Sequence, residues 1–97
     1  MKTKKNSTPE MMAIREKIDI VDDKLLPLMI KRSKLVEKAL ALKKKETDII
    51  DKKRIGEIKK KISDKSKKLG GNPQLLSGIW LSIIDNFIRF EKKKFKK

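Results

Sequence analysis

The sequence predicts an all-α protein of three helices, the first much longer than the others, and three observations carry that prediction. Over residues 9–46 apolar side chains recur three and four positions apart, at Ile14, Ile18, Val21, Leu25, Leu28, Met29, Val36, Ala39 and Leu40, and no glycine interrupts them. The run Gly70-Gly71-Asn72-Pro73 ends one helix and begins the next, because glycine favours the position after a C-terminus and proline the first turn. Charged residues make up 42% of the chain against 37% hydrophobic, so each helix must keep a broad face in water, and no strand is predicted.

In chain order, residues 1–8 read as a disordered basic lead-in, residues 9–92 as one helical domain and residues 93–97 as a basic tail. Ser7 and Glu10 have the S-x-x-E spacing of a capping box, with Pro9 tolerated in the first turn. Pro27 is expected to bend the first helix, since it lacks an N–H and crowds the preceding turn. The apolar register continues across it, so one helix is predicted to about residue 46, where Thr47 and Asp48 break the pattern. Ile49 and Ile50 are expected to tuck inwards from a short loop. A second helix follows over residues 51–69, with Ile55, Ile58, Ile62 and Leu69 on one face and mostly lysine elsewhere. The third carries Leu76, Ile79, Trp80, Ile83, Ile84, Phe87 and Ile88, which should be its most buried face. A helix of the first one's length spans roughly 50 Å, more than a chain of this size can cover, so a dimer with paired long helices is predicted.

Composition excludes several kinds of chemistry. The 97 residues contain no cysteine and no histidine, which removes disulfides, thiol nucleophiles, and the commonest general base and metal ligand. The opening MKTKKNSTPEMM is basic but no apolar run follows, so it is not read as a secretory signal, and nothing approaches a membrane span. A cytoplasmic location is expected. The net charge of +15 suits either nucleic acid or a small anion. A general preference for lysine, paired here with abundant isoleucine, explains much of that charge without any partner.

The cations near the long stripe are more informative. Arg32 and Lys43 are eleven positions apart, which on a continuous helix returns them to within roughly 20° of each other, about 16 Å apart along the axis. A small anion fits between two such side chains. Arg15 lies roughly 100° away on the cylinder and reaches such a pocket only from the other chain of an antiparallel pair. Each cation taken singly also fits a solvated or snorkelling side chain. Arginine is used at only four positions, Arg15, Arg32, Arg54 and Arg89, and its guanidinium grips carboxylates bidentately.

These residues resemble the all-helical class of chorismate mutases. The pattern R-x-x-I-D-x-x-D, then L-L-x-L-x-x-x-R, then a lysine appears as Arg15, Ile18, Asp19, Asp22, Leu25, Leu26, Leu28, Arg32 and Lys43. Asp51 and Arg54 open the second helix as in that family, and Ile79, Trp80, Ile83 and Ile84 match its third, so the resemblance spans residues 11–92. It implies an intertwined homodimer with two active sites, each built from both chains, that rearranges chorismate to prephenate on the route to phenylalanine and tyrosine. The reaction is intramolecular and pericyclic, so no cofactor or metal is implied. Catalysis is by clamping a dicarboxylate and stabilising charge on its ether oxygen. By motif position, Arg32 and the other protomer's Arg15 would hold the carboxylates, Lys43 would donate to the ether oxygen and a carboxylate, and Arg54 would support the pocket. Asp51 fits equally as an acceptor for the substrate hydroxyl and as a plain helix cap.

The sequence departs from that family at two positions. Ile55 stands where a glutamate often follows the second helix's arginine, and Phe87 where a serine is common. Glu91 occupies a position that is often glutamine; a carboxyl donates only when protonated, so Glu91 is expected to act as a neutral acid, or else to pair with a neighbouring lysine. The alternatives are an isochorismate-pyruvate lyase of the same fold, a catalytically silent regulatory dimer, and a nucleic-acid-binding module using the lysines of 43–45, 59–61 and 92–97. The scarcity of aromatic residues for base stacking counts against the last, and no membrane or nucleic-acid partner is predicted.

Overall fold

The computed structural model describes residues 8–95 and is all-α, with no strand among them. Three helices follow one another: α1 (Pro9–Ala41), α2 (Lys52–Lys68) and α3 (Pro73–Phe95), with a short 3-10 turn at Glu46–Ile49 between the first two. No described helix is long and apolar enough to cross a membrane.

α1 begins on Thr8, whose hydroxyl accepts from the Met11 N–H at 3.2 Å. Thr8 therefore does the capping expected of Ser7, which lies outside the described residues. The helix continues through Pro27 and stops at Ala41, about five residues short of the predicted end. The N–H groups of Leu42 and Lys43 turn back to the carbonyls of Ala39 and Leu40, a tightening to i→i−3 bonding that closes the helix. Downstream, Asp48 bonds its carboxylate to the Lys45 N–H at 3.2 Å and its own N–H to the Lys45 carbonyl at 3.0 Å. An aspartate able to satisfy backbone groups this way competes with helix continuation, which the apolar register of residues 9–46 does not reveal.

α2 is bounded almost as its sequence predicts. Asp51 caps its start by accepting from the Arg54 N–H at 3.0 Å. Its end is a Schellman motif: Gly71 N–H bonds to Ser66 carbonyl at 2.8 Å and Gly70 N–H to Lys67 carbonyl at 3.2 Å. Gly70 adopts φ +81°, a conformation open to glycine and strained for L side chains. Leu69 sits at the C-cap and is 85% exposed, so it leaves the inward face assigned to it. Asn72 then caps α3 through its Oδ1, accepting from Leu75 N–H at 3.1 Å. α3 runs on to Phe95, so residues 93–95 belong to the helix and not to a frayed tail.

By its contacts the chain divides into two units, one ending at Leu35 and one beginning at Val36. The first consists, from Pro9 onward, of α1 alone. Its apolar residues remain in water, Ile14 at 54% and Leu25 at 52% exposure among them. In the second, α2 packs along α3 and the 3-10 turn packs on α3. Leu40, Ile49 and Ile84 form the buried apolar core, joined by two buried polar residues, Ser66 and Glu91. Ser66 is satisfied locally, its hydroxyl donating to the Ile62 carbonyl at 2.6 Å. Ile49 is buried as expected, whereas Ile50 faces water. On α3 the half-buried Trp80 and Ile83 flank Ile84, and Ile79 is exposed, so the broad face predicted for it is narrower.

Candidate active site

Among its described residues the second unit carries one buried ionisable residue, Glu91, on the penultimate turn of α3. Lys43, two residues beyond the end of α1, donates from Nζ to Glu91 Oε1 at 2.8 Å. The lysine side chain is 24% exposed and the glutamate 8%. A carboxylate this enclosed requires a cationic or hydrogen-bonding partner, and Lys43 supplies it. Lys43 and Glu91, both expected at a site, are in direct contact. Glu91 is the acceptor of that bond, and its partner comes from the α1 end, not from the lysines beside it on α3.

Beside this pair lies a cavity of about 290 Å³ lined by Glu37, Leu40, Ala41, Lys43, Lys94 and Phe95. Its volume falls just below the range for small-molecule pockets, about 300–1,000 Å³. The wall combines apolar surface with the ammonium groups of Lys43 and Lys94 and the carboxylate of Glu37. Lys94 and Glu37 form a second ion pair across it, Nζ to Oε2 at 2.7 Å. The sequence reading missed both residues. Lys94 falls within the stretch read as a tail, though its spacing of three from Glu91 puts the two on one helical face.

The other predicted site residues are placed as follows. Arg15, exposed, and Arg32, half-buried, both lie on α1 in the first unit. Arg32 Nη1 is shielded from solvent. Because α1 ends at Ala41, Lys43 lies beyond the helix that carries Arg32. Asp51 and Arg54 act locally in the first turn of α2: Asp51 is the cap, and the exposed Arg54 guanidinium lies 4.0 Å from Glu57. Ile55 is half-buried. Phe87, in the place where a serine was anticipated, packs edge-on against Phe90, with centroids 6.4 Å apart and an interplanar angle of 86°. No group of three or more acidic residues among those described is arranged to hold a metal ion.

Helices bearing a buried lysine–carboxylate pair beside a small cavity with charged groups on its wall define an all-α domain. Comparison with known families narrows it. Residues 14–92 match the family described as Chorismate mutase type II, and the chain belongs to that family. Comparison with curated proteins and with solved structures gives no match.

Proposed function

We propose that the protein is a chorismate mutase, converting chorismate to prephenate, and that it works as a homodimer. The family membership supports the reaction class, and the observation that carries the reading to a site is Lys43 paired with Glu91 beside the cavity. A pericyclic rearrangement asks little bond-making chemistry of the protein. It asks for a compact substrate conformer and for positive charge where the breaking ether bond gathers electron density.

An ammonium group has three protons to donate. Glu91 takes one from Lys43 and fixes the direction of the side chain, leaving two for the ether oxygen and an adjacent carboxylate. Arg32 holds a carboxylate bidentately, and Arg15 of the partner subunit holds the other. Arg54 adds positive charge, and Asp51 accepts from the substrate hydroxyl with the oxygen its capping bond leaves over. Replacing Glu91 with Gln keeps an acceptor for Lys43 but removes the charge that holds it, so the folded variant should turn chorismate over more slowly than wild type. An unchanged kcat/KM removes Glu91 from the positioning of Lys43.

Dimerisation is supported by the apolar side chains that α1 leaves in water along its length of about 50 Å. A second α1 is the occupant whose length and character suit that stripe, and pairing would bring in the arginine that each site lacks from its own chain. The deciding experiment adds the purified protein to chorismate and follows loss of substrate absorbance and appearance of prephenate. Unchanged chorismate overturns the proposal, and salicylate and pyruvate formed from isochorismate would reassign the protein to the lyase.

A further inference from the structure

Two ion pairs link residues near the end of α1 to the last turns of α3, and their polarities are opposite. Lys43 donates to Glu91 at 2.8 Å, and Lys94 donates to Glu37 at 2.7 Å. Lys43, Lys94 and Glu37 all line the same cavity. The pairs differ in their access to water. Lys43 and Glu91 are 24% and 8% exposed, whereas Lys94 and Glu37 are 49% and 40% exposed. An enclosed pair is costly to break, because separation strands a desolvated charge. An exposed pair is held weakly, since water screens the attraction and two long side chains lose freedom in making it. One lysine of the cavity is therefore fixed and the other exchangeable.

We propose that Lys94 is a ligand-binding residue, taking up a carboxylate of the bound anion by exchanging it for Glu37. The inference rests on reading this cavity as part of the chorismate site. The Lys94 ammonium also lies 5.7 Å from the centroid of the Phe90 ring, a second weak attraction that keeps it over the α3 face while its carboxylate partner changes. Glu37 has a distinct part. In the empty site it occupies Lys94 and places negative charge on the cavity wall, so it competes with the incoming carboxylate. A dicarboxylate then meets two lysines, one aimed by Glu91 and one released by Glu37.

Competition makes a prediction of sign that a purely structural clamp does not. If the pair only fastens α3 to the end of α1, removing either partner weakens the site. If Glu37 competes with ligand, removing Lys94 weakens binding and removing Glu37 strengthens it. The test is calorimetric binding of prephenate to the full-length wild type and to Lys94→Gln, Lys94→Arg and Glu37→Gln, with circular dichroism to establish that each variant is folded. Loss of the Lys94 charge should raise Kd about three- to tenfold, the scale of a partly screened charged hydrogen bond. Lys94→Arg should remain within about twofold of wild type, and Glu37→Gln should lower Kd about two- to threefold.

Weakening by both Gln variants, or no change in either, overturns the role of Lys94, as does a wild type that releases no heat with prephenate. A parallel chorismate assay separates this from the catalytic reading. A wild type that binds prephenate with the opposite-sign pattern but leaves chorismate intact overturns the mutase alone. One that consumes chorismate without the pattern overturns Lys94 alone.

Discussion

The described residues up to Leu35 and those from Val36 onward solve the problem of apolar surface in different ways. The later unit folds its chain back twice, closes α2 with a Schellman turn, caps α2 and α3 with Asp51 and Asn72, and buries Leu40, Ile49 and Ile84. The earlier unit is one helix with Ile14, Ile18, Val21, Leu25 and Leu28 all more than half exposed. Local rules of capping and propensity explain both as helices. Only the later unit has a core that explains why its helices stay together. For the stripe on α1, the favourable free energy of burial, about 25 cal/mol per Å² of apolar surface, has still to be realised through another surface.

The sharpest way to break that contrast is to charge the stripe. Leu25→Lys should convert a dimer to monomer in analytical ultracentrifugation and reduce turnover to background, because a site shared between chains cannot assemble. Helix content should stay close to wild type, since the later unit keeps its own core. A monomeric wild type, or a fully active Leu25→Lys variant, removes pairing of the long helices from the account. Arg32→Ala separates chemistry from assembly: the dimer should persist while kcat/KM falls about 10²–10³-fold, the scale for losing one preorganised donor to developing charge. If the variant instead dissociates, Arg32 belongs to the interface rather than to the substrate.

Smaller changes in the later unit test whether it is the self-supporting half. Ile84→Ala removes part of a core with few buried members and should destabilise by about 2 kcal/mol, the low end for such truncations. Gly70→Ala isolates a backbone effect. A Cβ at Gly70 meets nothing within 4 Å, so its cost of about 1 kcal/mol comes from φ +81° alone. Gly71 differs, because a Cβ there would come within 2.9 Å of Leu76 Cδ1. Urea unfolding of both variants gives the values. A neutral Gly70→Ala would mean that the turn relaxes freely and does not hold α2 and α3 in register.

Much of this was legible in the sequence because the signals were local. Asp51, the pair Gly70-Gly71 and Asn72-Pro73 each bond backbone groups within a few residues, so the ends of α2 fall within one residue of their predicted places. The end of α1 was less legible. The apolar period continues past Ala41, but the N–H groups of Leu42 and Lys43 turn back in i→i−3 bonds, and Asp48 binds the Lys45 backbone in a separate turn just beyond. For the site, the motif singled out Lys43 and Glu91, which the fold brings into contact. It says nothing of Glu37 and Lys94, which meet because α3 returns to the end of α1, a distance of 57 positions in the chain. Arg15 and Arg32 remain assigned by motif.

The smallest predicted effect lies at Asp64, in the lysine-rich face of α2. Lys60 donates to its Oδ2 at 2.9 Å, and that bond, with the charge of Lys60 and further charge from Lys67 and Lys68, holds the carboxyl below its usual value despite an opposing desolvation effect. A carboxyl whose folded-state value is depressed binds protons less readily than in the unfolded chain. Its contribution is therefore present above the unfolded value and is lost as pH falls through the folded one. The group is fully exposed and its pair is an ordinary i,i+4 contact, so screening keeps the contribution small. Asp64→Asn should thus be slightly less stable than wild type at neutral pH, and the difference should close as the solution is acidified below the usual carboxylate range. It should close also in about 1 M salt, where the screening length is about 3 Å. Thermal unfolding by circular dichroism across acidic and neutral pH measures the gap. A gap that widens on acidification would mean that the protonated carboxyl, and not the ion pair with Lys60, is what the folded helix favours.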